Sequence, residues 1–147
     1  MTDTFRITLG QLNPTVGDLP GNAAKAREAW ARAREAGANL LALPEMFITG
    51  YQTQDLVLKP GFTQEAMAHI VDLARDCVDG PAIGIGGPYA EEDRLYNAYW
   101  ILRGGRVAAR VLKHELPHKQ LFDEWRLFNV GPISGPYSLD GLRIGSP

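Results

Sequence analysis

The sequence has little cysteine, little net charge and no long apolar run, and each shortage excludes a class of protein. Cys77 is the single cysteine among 147 residues, which excludes an internal disulfide and a zinc site built from several cysteines. The formal net charge is -2, so no basic surplus favours nucleic acid or an anionic membrane as a partner. No apolar run approaches the roughly 20 residues that cross a bilayer, and the N-terminus MTDTFRITLGQL does not resemble a secretory signal peptide. We therefore expect a cytoplasmic protein with no nucleic-acid or membrane partner.

The remaining composition is that of one globular domain in which strands alternate with helices. Hydrophobic residues make up 45% of the chain and charged residues 22%, a balance that favours a buried core. Residues 5–12 (FRITLGQL) and 39–44 (NLLALP) predict strands, because both are apolar and adjoin turn-forming residues. The run of residues 23–37 predicts a helix that Asn22 caps and Gly37 ends. A second amphipathic helix over residues 62–80, with Thr63 as its cap, and a third strand over residues 81–89 follow.

Two predicted hairpins then make the sheet mixed. The first turns at Gly104 and Gly105, a pair that accepts positive φ at both central positions. The second turns at Asp140 and Gly141 near the C-terminus. The expected fold class is α/β, with a mixed sheet covered by helices on one face. Because the chain stops at Pro147 within the last predicted strand, we expect a truncated domain.

Two features invite a chemical interpretation but favour a structural one. The run GIGGPY does not complete G-x-G-x-x-G and no helix follows it, so glycines in a tight strand exit are favoured over a nucleotide site. Cys77 lies on the apolar side of the second predicted helix and has no basic partner near it in sequence. That position favours a buried structural thiol over a nucleophile.

The segment HELPH, from His114 to His118, matches the zinc-protease pattern H-E-x-x-H. That pattern binds zinc when both histidines share one face of a helix. Here the segment leaves a hairpin, and Pro117 disfavours helical geometry at Leu116. We therefore predict no metal site, and we expect the histidines to face solvent or to support neighbouring residues.

Glu45, Lys113 and Glu124 are the strongest catalytic candidates. Each lies just past a predicted strand or in the loop that follows it, where ligand sites of open sheets form. Taken singly, each is better explained as a solvated surface charge. Taken together, a carboxylate, an ammonium and a second carboxylate suit acyl transfer, because one group moves protons and the ammonium stabilises an oxyanion. Such a reaction also needs a nucleophile, and none is evident in the chain.

Four runs of the sequence resemble the nitrilase-like glutaminase domain of glutamine-dependent NAD synthetases, within the nitrilase (carbon-nitrogen hydrolase) superfamily. The runs occur in the same order in this chain as in the family. They are FRITLGQLNPTVGDLPGNAAKA, LLALPEMFITGYQTQDLVLK, YNAYWILRGGRVAARVLKHELP and FDEWRLF. The second is similar to the family's L-P-E-x-x-x-T-G-Y segment, and the last to its F-D-E-x-R-x-F. The resemblance implies the N-terminal half of an αββα sandwich with a mixed sheet.

The resemblance also implies roles for particular residues in a Glu-Lys-Cys mechanism. Glu45 would be the general base and Lys113 would stabilise the oxyanion. Glu124 would orient the site. The substrate would contact Tyr51, Lys119 and Phe122. In the family a tyrosine usually stands where this chain has Lys119.

The same resemblance implies what residues 1–147 would lack and what they would act with. The nucleophilic cysteine would follow Pro147, so we expect no turnover from these residues alone. An ATP-dependent synthetase domain would form the C-terminal part of the full-length protein and would use the released ammonia. Glutamine would be the substrate, and a homo-oligomer is expected. The amidase site would need no cofactor, whereas ATP and magnesium would serve only the synthetase domain.

Two other functions stay open at this stage. One is a free-standing nitrilase-type amidase acting on a different amide, which the replacement at Lys119 favours. The other is a truncated domain without catalysis that only binds or assembles. The sequence after Pro147 would separate all three, because a cysteine there favours catalysis and a later ATP-binding domain favours NAD synthesis.

Overall fold

A five-stranded mixed sheet organises the part of the chain that the computed structural model describes, which is residues 4–119, 122–132, 137–139 and 142–144. The strands lie side by side in chain order: β1 (Ile7–Leu9), β2 (Leu40–Ala42), β3 (Ala82–Glu91), β4 (Arg94–Arg103) and β5 (Arg106–Leu112). The pairs β1–β2 and β2–β3 are parallel, whereas β3–β4 and β4–β5 are antiparallel. The predicted mixed α/β sheet is therefore confirmed.

The shorter elements connect and extend this sheet. The helices are α1 (Leu19–Glu35) and α2 (Pro60–Asp76), with 3-10 helices at Gln54–Leu58 and Glu124–Arg126. Two small antiparallel pairs complete the described chain: β6 (His118–Lys119) with β7 (Phe122–Asp123), and β8 (Tyr137–Leu139) with β9 (Leu142–Ile144). The pairing of β8 with β9 confirms the second hairpin, although its predicted turn at Asp140 and Gly141 lies outside the described residues.

The first helix begins earlier than its sequence pattern predicts. Asp18 caps it by accepting a hydrogen bond from the Gly21 N–H at 3.0 Å, and Pro20 sits in the first turn, where its missing N–H costs nothing. Asn22 is therefore not the cap. Its buried amide instead binds backbone groups of Thr15 and Ile48. At the other end Gly37 has φ +65 just past the helix, as predicted.

The second helix also begins earlier than its sequence pattern predicts, and a proline again lies in its first turn. It begins at Pro60, and Thr63 lies inside it instead of capping it. The Thr63 hydroxyl donates to the carbonyl of Val57 at 2.7 Å, which ties the helix to the preceding 3-10 turn. The first hairpin turns where predicted, with φ +60 at Gly104 and +80 at Gly105.

Both helices cover one face of the sheet. The largest fully buried side chains between helices and sheet are Trp100, Phe47, Leu41, Ile48, Ile70, Leu73, Ile83, Ile85 and Leu102. Side chains alternate along β4, so Ala98 and Trp100 point into this core while Asn97 and Tyr99 lie on the opposite face. Among the described residues, no helix has the length and apolar character to cross a membrane.

Candidate active site

Glu45, Lys113 and Glu124 come together on the sheet face that the helices leave uncovered. Glu45 follows β2 after Pro44, and Lys113 follows β5, where its N–H still donates to the carbonyl of Asn97 at 2.8 Å. Glu124 opens the second 3-10 helix, and its N–H donates to the carbonyl of Pro117 at 2.9 Å. Backbone hydrogen bonds thus fix Lys113 and Glu124 to neighbouring segments of the same polypeptide.

A small apolar cluster holds the three loops in place. Met46, Leu116 and Phe128 lie close to Glu45, Lys113 and Glu124 in the chain, and they pack together with Val57. All four are at most 8% exposed. Burying these anchors sets the positions of the polar groups beside them, because displacing any loop would open a cavity in the cluster.

Gly86 in β3 permits the close approach of the loop that carries Glu45. A Cβ added at Gly86 would overlap the Met46 nitrogen and lie 2.5 Å from the Cα of Glu45. The Gly86 N–H also donates to the carbonyl of Pro44 at 3.1 Å, and its carbonyl accepts from Ile48 at 3.1 Å. The glycines of GIGGPY lie in a strand, as predicted, and Gly86 supports the candidate base.

The three predicted catalytic side chains form one ion-paired cluster. Lys113 Nζ lies 2.7 Å from Glu45 Oε1 and 3.0 Å from Glu124 Oε2. Glu124 is almost fully buried at 5% exposure, whereas the side chain of Glu45 remains 46% exposed. One carboxylate is therefore enclosed and the other accessible, with a shared ammonium between them.

Asn97 is a fourth member of the cluster that sequence reasoning missed. Its Nδ2 donates to Glu45 Oε1 at 2.6 Å and to Glu124 Oε2 at 3.4 Å, and the residue is 2% exposed. A single asparagine inside an apolar strand carries no pattern of its own. The available clue was the strand period, which places Asn97 and Tyr99 on one face.

The electrostatics of the cluster follow from two opposing effects on Lys113. Partial burial disfavours its charged form, but hydrogen bonds and charge attraction from Glu45 and Glu124 outweigh that cost, so the pKa of Lys113 is raised above its ordinary value. Lys113 is therefore an ammonium at neutral pH. In that form it can stabilise developing negative charge, but it cannot accept a proton.

Two of the three predicted substrate contacts lie beside the cluster. The Tyr51 hydroxyl donates to Glu124 Oε1 at 3.3 Å, and its ring stacks on Phe122 with centroids 6.5 Å apart. Both rings line an open pocket that Glu124 also lines. Burial, and then the charge of Glu124, raises the pKa of Tyr51. Lys119 pairs opposite Phe122 in the small β6–β7 hairpin but is exposed and lies outside the lining of that pocket.

Cys77 and the histidines of HELPH, which were predicted to be structural, take no part in the ion-paired cluster. Cys77 is 6% exposed in the core between helices and sheet, and burial raises its pKa to about 11. Residues 114–118 are not helical, as predicted for HELPH. The Nδ1 of His114 lies 2.7 Å from the Gly131 carbonyl, and the ring of His118 packs edge-on against Trp125. Within the described part of the chain, no group of three or more potential ligands could hold a metal ion.

Comparisons with known proteins show which family and which relatives this chain matches. The carbon-nitrogen hydrolase family model matches residues 6–146. The chain is 63% identical, over its whole length, to a glutamine-dependent NAD(+) synthetase from Rhodobacter capsulatus, of which it covers 27%. It is 35% identical to a protein of the same name from Thermotoga maritima, with coverage of 96% of this chain and 24% of that one. The chain therefore spans about a quarter of the length of the curated relatives it matches.

Solved structures show the same similarity in three dimensions. A glutamine-dependent NAD(+) synthetase from Cytophaga hutchinsonii superposes with a TM-score of 0.85 at 26% identity, over 97% of this chain and 25% of that one. An amidase of the nitrilase superfamily from Nesterenkonia superposes with a TM-score of 0.79 at 26% identity, over 96% of this chain and 54% of that one. The predicted nitrilase-like fold is thereby confirmed. By the family match along nearly its entire length, this chain belongs to the carbon-nitrogen hydrolase family.

Proposed function

We propose that this chain is part of a glutaminase domain that hydrolyses the side-chain amide of glutamine. Within a longer polypeptide, the released ammonia would serve ATP-dependent synthesis of NAD from deamido-NAD in a C-terminal synthetase domain. The observation that carries the proposal is the contact of one ammonium with two carboxylates, at 2.7 Å from Glu45 and 3.0 Å from Glu124. The synthetase activity follows the names of the most similar relatives.

In the proposed reaction Glu45 moves protons and Lys113 stabilises charge. A cysteine thiol gives its proton to Glu45 as its sulfur bonds to the amide carbon, and Lys113 stabilises the resulting oxyanion. The C–N bond then breaks, and ammonia leaves with the proton from Glu45. Water attacks the thioester and gives a proton to Glu45, the C–S bond breaks, and that proton returns to sulfur as glutamate departs. Glu124 keeps Lys113 in position throughout.

The nucleophile of this reaction is not Cys77. That thiol is buried in the helix-side core, and its pKa of about 11 keeps it protonated at neutral pH. We propose that a cysteine beyond residue 147 of the full-length protein attacks the amide, and that residues 1–147 alone release no ammonia from glutamine. In support, a mutant of the Nesterenkonia amidase shows the result of Michael addition of acrylamide at its active site cysteine.

The proposed substrate pocket lies between Tyr51 and Phe122, with Lys119 on the neighbouring hairpin. The stacked rings offer an apolar wall for the methylene groups of glutamine. Glutamine hydrolysis at this site would use side chains alone and no cofactor. ATP and magnesium would belong to the synthetase domain, and assembly into a homo-oligomer is part of the same proposal.

Replacing Glu45 with Gln in the full-length protein tests the proton-transfer role. The amide side chain that this substitution introduces cannot accept the thiol proton. We therefore expect ammonia release from the substrate glutamine to fall by at least about 10³-fold. NAD formation from deamido-NAD, ATP and added ammonium should be unchanged, because it bypasses this site. A coupled assay of both activities measures the two effects on one sample.

Glu115→Gln is the matched control. The side chain of Glu115 is 98% exposed in the loop after Lys113, so this substitution removes a carboxylate that faces solvent. Its two activities should equal those of the unaltered protein. Persistence of glutamine hydrolysis in Glu45→Gln would show that another group moves the proton.

A free-standing amidase acting on a different amide is the second candidate. The structural similarity to the Nesterenkonia amidase favours it, because the chain covers 54% of that shorter protein. Lys119 stands where the family usually has a tyrosine, and it is exposed on the hairpin that carries Phe122. A substrate would therefore meet a different surface here than it would beside that tyrosine. Hydrolysis of other amides by the full-length protein, without NAD formation from deamido-NAD and ATP, would favour this candidate over the first.

A further inference from the structure

The polar side chains at the site close into a ring that includes a group without a role in the proposed proton transfers. Lys113 Nζ contacts Glu45 Oε1 at 2.7 Å and Glu124 Oε2 at 3.0 Å. Asn97 Nδ2 contacts the same two oxygens, at 2.6 Å and 3.4 Å. Two donor nitrogens thus link the same two carboxylates, Asn97 from β4 and Lys113 from just past β5. They share Glu45 Oε1, whereas the hydrogen bond from Lys113 to Glu124 is to Oε1, at 3.1 Å.

The chemistry of an amide suits the inner corner of this ring. Asn97 is 2% exposed, so its N–H groups need partners within the protein. An uncharged amide supplies two donors at one nitrogen without adding a second positive charge beside Lys113. It can therefore hold two carboxylates at a fixed separation, whereas water could enter and leave.

The ring also makes the two oxygens of Glu45 unequal. Both Asn97 and Lys113 donate to Oε1. Among the described residues, none donates a hydrogen bond to Oε2, and the Glu45 side chain is 46% exposed. One oxygen is thus bound twice, and the other belongs to a side chain that is nearly half exposed.

We propose that Asn97 is a positioning residue that fixes Glu45 so that Oε1 stays bound and Oε2 takes up and returns the proton. This inference rests on the proposed amide hydrolysis. It gives Asn97 a role beyond filling the sheet face, because the amide holds one oxygen of the carboxylate in place and leaves the other to exchange the proton.

Removing the amide should slow the chemical step more than it weakens substrate binding. Asn97 is not part of the lining of the proposed substrate pocket, so Tyr51 and Phe122 stay in place and KM should change little. With one of its two donors gone, the Glu45 side chain loses its fixed position relative to the thiol, so kcat should fall.

Asn97→Leu in the full-length protein tests this, since leucine has a similar size and no donor. We expect kcat for glutamine hydrolysis to fall by at least about tenfold, while KM changes by less than about threefold. Asn97→Ser, whose hydroxyl is too short to bridge both carboxylates, should lower kcat in the same way and covers the case in which Asn97→Leu does not fold.

Asn22→Leu is the matched control. Asn22 is another buried amide, at 0% exposure, but it binds backbone groups of Thr15 and Ile48 instead of carboxylates. Its loss should lower the melting temperature and leave kcat and KM unchanged. A kcat that falls equally in the Asn22 and Asn97 variants, or in neither, overturns the inference while the proposed function stands. If the unaltered protein releases no ammonia from glutamine, both are overturned together.

Discussion

Lys113 allows two carboxylates to share a small space. Glu45 and Glu124 both lie within 3.0 Å of its Nζ, and without a cation between them their charges would repel. Because the pKa of Lys113 is raised by these neighbours, its positive charge persists at neutral pH. The same charge therefore serves stability and the proposed oxyanion contact.

The surroundings of Cys77 disfavour its charged form, whereas those of Lys113 favour the charged form of that side chain. Burial raises the pKa of Cys77 from 9.0 to about 11, so the folded protein disfavours the thiolate. At pH 8 the thiolate fraction should be roughly 100-fold lower than in the unfolded chain. Alkylation of residues 1–147 by iodoacetamide should slow by a similar factor on folding, with the urea-unfolded chain as the control. Equal rates in both states would contradict the buried thiol.

The same pKa has a consequence for stability against pH. Because the folded value lies above the unfolded one, the stabilising effect of the protonated thiol is complete below pH 9 and is lost as pH rises toward 11. Cys77→Ala should remove this alkaline loss. Comparing urea midpoints of the two proteins at pH 8 and pH 11 measures it, and a parallel decline in both would assign the loss to other groups.

At the scale of elements, β3 determines where the Glu45 loop can lie. Gly86 leaves the room that this loop fills, and a methyl group there would lie 2.5 Å from the Cα of Glu45. Real Cβ contacts are not that short, so the loop would have to move. Misplacing a catalytic group by about 1 Å can cost on the order of 100-fold in rate.

We therefore expect Gly86→Ala to lower glutamine hydrolysis by at least about tenfold and to destabilise the fold by about 1–3 kcal/mol. The readouts are ammonia release and thermal melting of the full-length protein. Gly61→Ala is the control, since no heavy atom lies within 4 Å of the added Cβ in α2. Equal activity in the two variants would show that the loop tolerates the methyl group.

The elements also show which parts of the structure sequence patterns can predict. The run LLALP ends at Pro44, so the strand exit and the position of Glu45 after it were both predictable. The helix starts were not, because Asn22 and Thr63 look like caps until Pro20 and Pro60 are recognised as first-turn residues. Polar residues before an apolar run fit either position.

The candidate site was predictable only to the extent that its members stand at strand ends. Glu45, Lys113 and Glu124 were placed together by that rule and by the family resemblance, and the distances agree. Asn97 lies in the middle of β4, where one polar residue among apolar ones gives no indication of its partners. Its role depends on a contact between residues 52 positions apart.

At the scale of the whole molecule, β1 is an edge strand of the sheet and carries exposed apolar side chains. Ile7 and Leu9 in β1 are 51% and 70% exposed, and Phe5 just before it is 63% exposed. An exposed apolar edge strand can pair with another copy. We therefore expect residues 1–147, prepared alone, to self-associate.

Leu9→Lys should reduce that self-association, because a charge on the edge disfavours strand pairing. Light scattering during gel filtration over a range of concentrations measures it. Leu58→Lys is the control, since Leu58 is also exposed, at 47%, but lies in a 3-10 helix away from the sheet edge. An equal effect of both substitutions would indicate a general gain in solubility.

The closed ring around Lys113 has a consequence for product release. One ammonium and two carboxylates give the cluster a formal charge of -1. A neutral amide enters that field without repulsion, and proton transfer from a thiol to Glu45 moves charge without creating any. Hydrolysis turns the amide into a carboxylate, which faces this negative field at close range. In the proposed reaction the charge arrangement that accepts the substrate therefore helps to expel glutamate and limits inhibition by it.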